Sequence, residues 1–384
     1  MPEEAPRIIG VAPKDPWDRL TQSGTSHHLF TALDRRDALL DAVSAQLPNG
    51  LEVAAKAASF WPRRSRWVER YEYSPLRRAL RSRLATQRVS RMADGRPYAT
   101  LQIGAWYSVG ETGSGPRLRA SFHDANLARF SREGGFIEDI AAPHIQRELA
   151  AERRLFDRLD VIFTRSDWLR ESFIEHFGQD PGKVVTTWSG ANVTGLPTAI
   201  PERPASPMRI LFVGYDFERK GGPFLLEAFA KLRESHPDAE LWLVGPEAGD
   251  PAPGVRWHGT IDRRAEAGDR QMASLHRDAT VLVMTSRYEP FGNALLEAMA
   301  YGLPCIGSTR CAMPEIIEAN RTGLLVPPED SAALARALLE LADDPARARA
   351  MGEAGFKRLH ERFTWDVVTE RIVAEMQARM PSAG

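Results

Sequence analysis

Glu289 and Glu297 stand with seven residues between them in the stretch Thr285–Gly307, TSRYEPFGNALLEAMAYGLPCIG. Ahead of it the apolar run Thr280–Met284, and within it Leu303–Ile306, each fit a buried parallel strand, with one short helix between them. Gly292 permits a tight turn, so the N–H groups of Asn293, Ala294 and Leu295 and the positive end of the helix dipole face whatever lies beyond the sheet edge. That is a seat for a phosphate. The helix is otherwise built from Ala294, Leu295, Leu296, Ala298 and Met299. An ionised Glu297 among them needs a partner to offset several kcal/mol of desolvation. A pair of sugar hydroxyls is one such partner.

A second candidate for phosphate chemistry is Arg219-Lys220-Gly221. It follows the strand expected over Met208–Gly214 and leads into a helix near Pro223. Two adjacent cations on a strand-to-helix loop are either a solvated surface or a grip on an anion. No G-x-G-x-x-G accompanies them, which argues against a dinucleotide-dependent dehydrogenase. The chain also lacks an Asp-x-Asp triplet and paired metal-ligand spacing, so no metal and no cofactor is expected.

Glu-x7-Glu in the setting EPFGNALLEAMAYGLPCIG resembles the signature of glycosyltransferase family 4, retaining sugar transferases of the GT-B fold. The resemblance is tight over the C-terminal half and loose over the N-terminal half. It implies an α/β protein of two Rossmann-like, doubly wound parallel-sheet domains facing across a cleft. It implies a metal-independent hexosyltransferase that moves a sugar from a nucleotide diphosphate sugar, of UDP or GDP type, to a carbohydrate, lipid-linked or small-molecule acceptor. By this resemblance Arg219 and Lys220 grip the donor diphosphate. Phe291, Gly292, Asn293 and Ala294 form the donor loop, Glu297 accepts from the ribose hydroxyls and Glu289 holds the transferred sugar. Thr260 lies on the loop that meets the base. Gly24, in Ser23-Gly24-Thr25-Ser26, resembles the glycine loop after the first strand, although the family often has a double glycine there; a helix cap is the alternative. His123 resembles the cleft histidine beside the sugar, with a core or capping histidine as the alternative. The family commonly has an arginine after the Val-Gly where this chain has Tyr215. A glycan phosphorylase or nucleotide-sugar epimerase of the same fold, or a non-catalytic sugar-nucleotide binder, are the competing readings.

These residues need a scaffold of alternating strands and helices, and the chain has the length for it. Its 384 residues are 43% apolar, enough for two domains. Strands are expected at Arg7–Val11, Arg119–Phe122, Val161–Thr164, Lys183–Thr187, Met208–Gly214, Glu240–Gly245, Val255–Gly259 and Gly323–Val326, alternating with helices as in a doubly wound sheet. The domains are expected over 1–195 (acceptor-binding) and 208–364 (donor-binding). A Pro-rich linker, 196–207, separates them, and a terminal helix, 365–384, resembles the one that crosses back in the family.

The net charge of -1 argues against a nucleic-acid binder driven by bulk electrostatics. The first residues, MPEEAPRIIG, lack a signal-peptide pattern, and no run is long enough to span a bilayer, so a cytoplasmic protein, soluble or peripheral at the inner membrane face, is expected. Residues 61–91 carry ten arginines against two glutamates. Leu76, Leu80, Leu84 and Val89 recur among them at helical spacing. This predicts a basic amphipathic helix that either packs on the domain through its leucines or lies on anionic lipid.

Overall fold

Every strand pairing among the described residues is parallel. The computed structural model describes residues 7–95, 97–110, 118–133, 142–203 and 207–380. Parallel strands need crossover connections, and most of those in this chain carry helices.

The chain divides into two units. The first comprises Met1–Trp188 with Val368–Gly384, and the second Ser189–Val367. In the first unit the strands are β1 (Arg7–Ala12), β2 (Leu39–Ser44), β3 (Tyr98–Ile103), β4 (Leu118–His123), β5 (Val161–Thr164) and β6 (Val184–Thr186). They lie in the order β2-β1-β3-β4-β5-β6. The connections carry α1 (Thr25–Arg35), α2 (Asn49–Ala58), α3 (Arg64–Glu72), α4 (Pro75–Ala93), α5 (Leu127–Arg132), α6 (Ala142–Asp157) and α7 (Asp167–Glu175).

The second unit has β7 (Arg209–Val213), β8 (Glu240–Val244), β9 (Val255–Gly259), β10 (Val281–Met284), β11 (Cys305–Ser308) and β12 (Gly323–Val326). Their order is β12-β11-β10-β7-β8-β9. Its helices are α8 (Gly222–Arg233), α9 (Glu266–Asp278), α10 (Asn293–Ala300), α11 (Met313–Ile316), α12 (Ser331–Asp343) and α13 (Pro345–Arg362). Its core gathers Ile210, Phe212, Leu225, Phe229, Val283 and Leu338, all buried, between sheet and helices. The stretch 196–207 begins inside this unit; residues 204–206 of it lie outside the described residues. A last helix, α14 (Trp365–Arg379), counts with the first unit from Val368 onward. There Arg36 Nε donates to Thr369 Oγ1 at 3.0 Å, and Arg379 Nη2 to the Gly182 carbonyl at 3.0 Å.

Two strands of the first unit, β2 and β3, are not foreseen in the sequence. β3, YATLQI, is buried along its whole length despite Thr100 and Gln102. Gln102 Nε2 is satisfied by the carbonyls of Gly104 and Tyr107 at 2.9 and 3.1 Å, which removes the penalty that a buried amide otherwise carries.

The basic segment differs from its expectation. It forms two helices, because Ser74 caps α4 by accepting from Arg77 N at 3.3 Å and Pro75 occupies the first turn. The inward stripe of α4 is Arg77, Arg81, Ala85, Val89 and Ala93, while Leu76 is exposed. Arginines turn inward because fixed acceptors meet them. Arg77 pairs with Glu72 at 2.8 Å and Glu52 at 3.3 Å, and Arg81 donates to the carbonyls of Ala45 at 3.1 Å and Pro13 at 2.5 Å.

Candidate functional site

The strand order of the second unit reverses at β7 and β10, which pair directly, Val281 with Ile210 and Leu282 with Leu211. β8 and β9 extend to one side and β11 and β12 to the other. A crevice opens above the carboxyl ends of two strands that send their connections to opposite sides, and ligands of open parallel sheets bind there. The loops at this point are 214–221, after β7, and 285–292, after β10. Arg219 and Lys220 stand on the first, and Glu289 and Gly292 on the second.

The two loops are tied to each other. Arg287 N donates to the Arg219 carbonyl at 3.0 Å. Arg219 Nη1 donates to the Tyr288 carbonyl at 2.5 Å and to Glu289 Oε2 at 3.3 Å, while its Nε reaches Asp216 Oδ2 at 3.0 Å. Lys220 Nζ lies 3.3 Å from the same Glu289 oxygen. Burial pushes the Glu289 carboxyl up, but the charges and hydrogen bonds of Lys220 and Arg219 outweigh it and leave the group below the ordinary carboxylate value. The sequence candidates Arg219, Lys220 and Glu289 therefore form one cluster.

Each loop ends in a helix start of the same kind. Gly221 (φ 82°) precedes α8 and Gly292 (φ 94°) precedes α10, both left-handed, and neither helix start is capped by a side chain. A Cβ on Gly221 would lie 2.7 Å from Thr285 Oγ1 and 2.8 Å from the Thr285 carbonyl oxygen, so Gly221 is demanded on conformation and on space, and Gly292 on conformation. Two helix N-termini thus flank the cationic pair. Phe291 is buried beneath the second loop, and Asn293 and Ala294 are half-buried at the start of α10.

Glu297 is placed differently from its expectation. Its carboxylate already has a protein partner. Arg263 Nη1 donates to both Glu297 oxygens, at 3.1 and 3.0 Å, with the Glu297 side chain only 8% exposed. Sequence reasoning misses Arg263, which stands in the charged run Asp262-Arg263-Arg264-Ala265-Glu266 and meets Glu297 only through the fold. Thr260, exposed on the same β9–α9 loop, has its hydroxyl 3.3 Å from the Gly245 carbonyl. Tyr215 is exposed, and Arg287 pairs with Glu329 at 3.5 Å.

In the first unit His123 is a core residue. It is 2% exposed, its Nε2 lies 2.8 Å from Ser121 Oγ, and the rings of Phe156 and Phe173 pack on it at 5.5 and 5.1 Å. Burial holds its pKa down at about 3, so the ring is neutral at pH 7. Gly24 closes a left-handed run, Gln22 (φ 51°), Ser23 (φ 56°) and Gly24 (φ 85°), immediately before α1. Two of these are not glycine and carry about 1–2 kcal/mol of strain each. The buried hydroxyls of Thr21 and Thr25 on either side have no hydrogen-bond partner among the described residues.

Residues 207–344 match the family model described as glycosyl transferases group 1. The chain is 30% identical over 225 residues to glycogen synthase of Mycobacterium tuberculosis, covering 57% of this chain and 54% of that protein. It is 29% identical over 261 residues to D-inositol 3-phosphate glycosyltransferase of Streptomyces avermitilis, covering 62% and 56%. The chain spans about half the length of the curated relatives it matches. Among solved structures, sucrose-phosphate synthase from Thermosynechococcus elongatus is similar with a TM-score of 0.68 at 18% identity, over 96% of this chain and 98% of that one. That likeness gives the fold, two parallel-sheet α/β units of the GT-B type.

Proposed function

We propose that the protein transfers a hexose from a nucleotide diphosphate sugar to a carbohydrate or lipid-linked acceptor, since residues 207–344 match the model of the group 1 glycosyl transferases. The observation that carries this reading is the convergence of Arg219, Lys220 and two glycine-led helix starts on the switch point of the second sheet.

The diphosphate is the group such a seat suits. Its charge rises as the sugar–phosphate bond breaks, and fixed cations and helix dipoles aimed at it stabilise that developing charge. Arg219 and Lys220 supply the positive charge that a metal ion supplies elsewhere, and the proposed reaction needs no metal. Glu289 is a poor nucleophile, since both cations hold its charge. Its role is instead to orient the cations and to face the cationic character that the departing sugar develops. The resemblance to retaining transferases implies attack of the acceptor hydroxyl on the face the diphosphate leaves, with retention of the anomeric configuration. The hydroxyl proton passes to the departing phosphate oxygen. Glu297 accepts from the ribose hydroxyls. By the resemblance the glycine turn ending at Gly24 is proposed as a donor-binding loop of the first unit, and His123 packs against Phe156 and Phe173 within that unit.

The test is calorimetric titration with UDP, GDP and ADP and their hexose conjugates in the presence of a chelator. One nucleotide is expected to bind in the micromolar range, and Arg219→Ala/Lys220→Ala to abolish that binding. Nucleotide release that requires an acceptor separates a transferase from an epimerase. Binding that survives the double substitution overturns the seat.

A second proposal concerns the surface of the first unit. No helix among the described residues is long and apolar enough to cross a membrane. Yet Leu51, Val53, Phe60, Trp61, Val68 and Leu76 are exposed, and Arg63, Arg64, Arg66 and Arg70 are exposed among them. The patch is held together by Trp67 Nε1 on the Lys56 carbonyl at 2.9 Å and by Arg70 over the Trp61 ring at 5.2 Å. Apolar side chains interleaved with cations fit the interface of an anionic membrane, each cation near the surface contributing about 1 kcal/mol.

A further inference from the structure

Resting on the reading that the second unit seats a nucleotide, we propose that Arg263 is a positioning residue for ribose recognition. It pairs with the Glu297 carboxylate and aims it, so that the outer lone pairs of that carboxylate meet a vicinal diol.

Glu297 emerges from a helix whose Leu295, Leu296, Ala298, Met299 and Ala300 are all buried. A carboxylate buried there loses its water and needs a partner that compensates the loss. Arg263 is that partner, and the geometry of the pair is informative. One nitrogen, Nη1, bridges both carboxylate oxygens. A carboxylate offers about four lone-pair sites, and a single bridging nitrogen leaves part of them to a second donor. The vicinal hydroxyls of a ribose are two donors at carboxylate spacing.

The other guanidinium nitrogens are anchored elsewhere. Nε donates to Asp269 Oδ1 at 3.2 Å, and Nη2 to the Asn192 carbonyl at 2.9 Å. Asn192 is itself fixed, being buried and accepting at Oδ1 from Trp365 Nε1 at 3.0 Å. These two acceptors in two directions set the plane of the guanidinium, and Nη1 then sets the carboxylate. A lysine neutralises a carboxylate but cannot hold three directions at once, so Arg263→Lys separates charge from aim.

The experiment compares UDP, GDP and ADP with their 2′,3′-dideoxy forms by calorimetry, on the unaltered protein and on Arg263→Lys, Asp269→Asn, Glu297→Gln and Arg263→Lys/Glu297→Gln. For whichever nucleotide binds, the dideoxy form is expected to bind roughly tenfold or more weakly, the effect of losing hydrogen bonds to a charged acceptor. Arg263→Lys is expected to bring that ratio close to one while affinity for the dideoxy form is kept. The double variant is expected to show no further change. Asp269→Asn, which removes one anchor, gives an intermediate ratio and serves if the lysine variant loses its thermal transition. A ratio unchanged in the lysine or asparagine variant overturns the inference while leaving the nucleotide seat standing. So does a rise in affinity for both forms, which would mean that Arg263 blocks the site. If no nucleotide binds the unaltered protein, the functional reading falls and this inference with it.

Discussion

Lys220 Nζ and Arg219 Nη1 both lie 3.3 Å from the same oxygen of Glu289. Two cations thus share one carboxylate, and the cluster holds an excess of one positive charge before Asp216 is included. An arriving diphosphate replaces or joins Glu289 as their partner. Replacing Lys220 with Met should therefore weaken nucleotide diphosphate binding by about 10–100-fold, the value of one charge-assisted contact. A nucleoside without phosphates should bind the variant and the unaltered protein alike, which titration of both ligands checks.

Glu289→Gln acts in the opposite sense on binding. It frees the two cations, so nucleotide diphosphate affinity should hold or rise while turnover falls by about 10²–10³-fold, as for loss of one preorganised electrostatic group. Parallel loss of affinity and turnover would contradict the role given to this carboxylate.

Acid sensitivity should come from His123 in the window its shift defines. Its pKa is about 3 in the fold against 6.5 in the unfolded chain. Between these values the unfolded state binds the extra proton, so stability is fully present above pH 6.5 and declines as pH falls toward 3. From pH 6.5 to 4.5 the loss is about 2–3 kcal/mol. Chemical denaturation of the unaltered protein and of His123→Gln at both pH values should show a smaller pH-dependent loss in the variant. Glu289, depressed below its ordinary value, adds a loss in the same direction only at lower pH.

Arg81→Ala should destabilise the first unit by about 2–4 kcal/mol, because it orphans the Ala45 and Pro13 carbonyls and removes a buried side chain. Leu80→Ala, one position away on a less buried flank, should cost much less, and urea denaturation ranks the two.

The patch over residues 51–76 predicts co-sedimentation with vesicles of phosphatidylglycerol and little with phosphatidylcholine, declining steeply with salt. Phe60→Ser/Trp61→Ser should abolish it without changing nucleotide binding. Equal binding to both vesicle types would remove the electrostatic part of the proposal.

The second sheet was largely legible in the sequence, because its strands are unbroken apolar runs: ILF, LWLV and VLVM announce themselves. The cluster of Arg219, Lys220 and Glu289 was legible for a related reason. Its cations and glycines lie on short loops directly after those strands, so register alone brings Arg219 and Glu289 together. Arg263 was not, because nothing local distinguishes it from its charged neighbours and its partner lies 34 residues away. The orientation of α4 was hidden by a sound rule. Leucines normally face inward, but Glu52, Glu72 and two carbonyls compensate Arg77 and Arg81 and reverse the helix. His123 at the end of β4 reads in the sequence as a site residue by resemblance, and its packing against Phe156 and Phe173 is visible only in the fold.

The second unit is one uninterrupted stretch, Ser189–Val367, while the first is assembled from two stretches on either side of it. During synthesis this inverts the order of completion. The stretch that carries Arg219, Arg263, Glu289 and Glu297 has all its partners once Val367 has emerged, whereas the earlier-made half still lacks the segment whose Thr369 and Arg379 engage Arg36 and Gly182. A nascent chain halted after Val367 is thus expected to hold a completed second unit while the first still lacks the segment from Val368 onward, which acts as its latch.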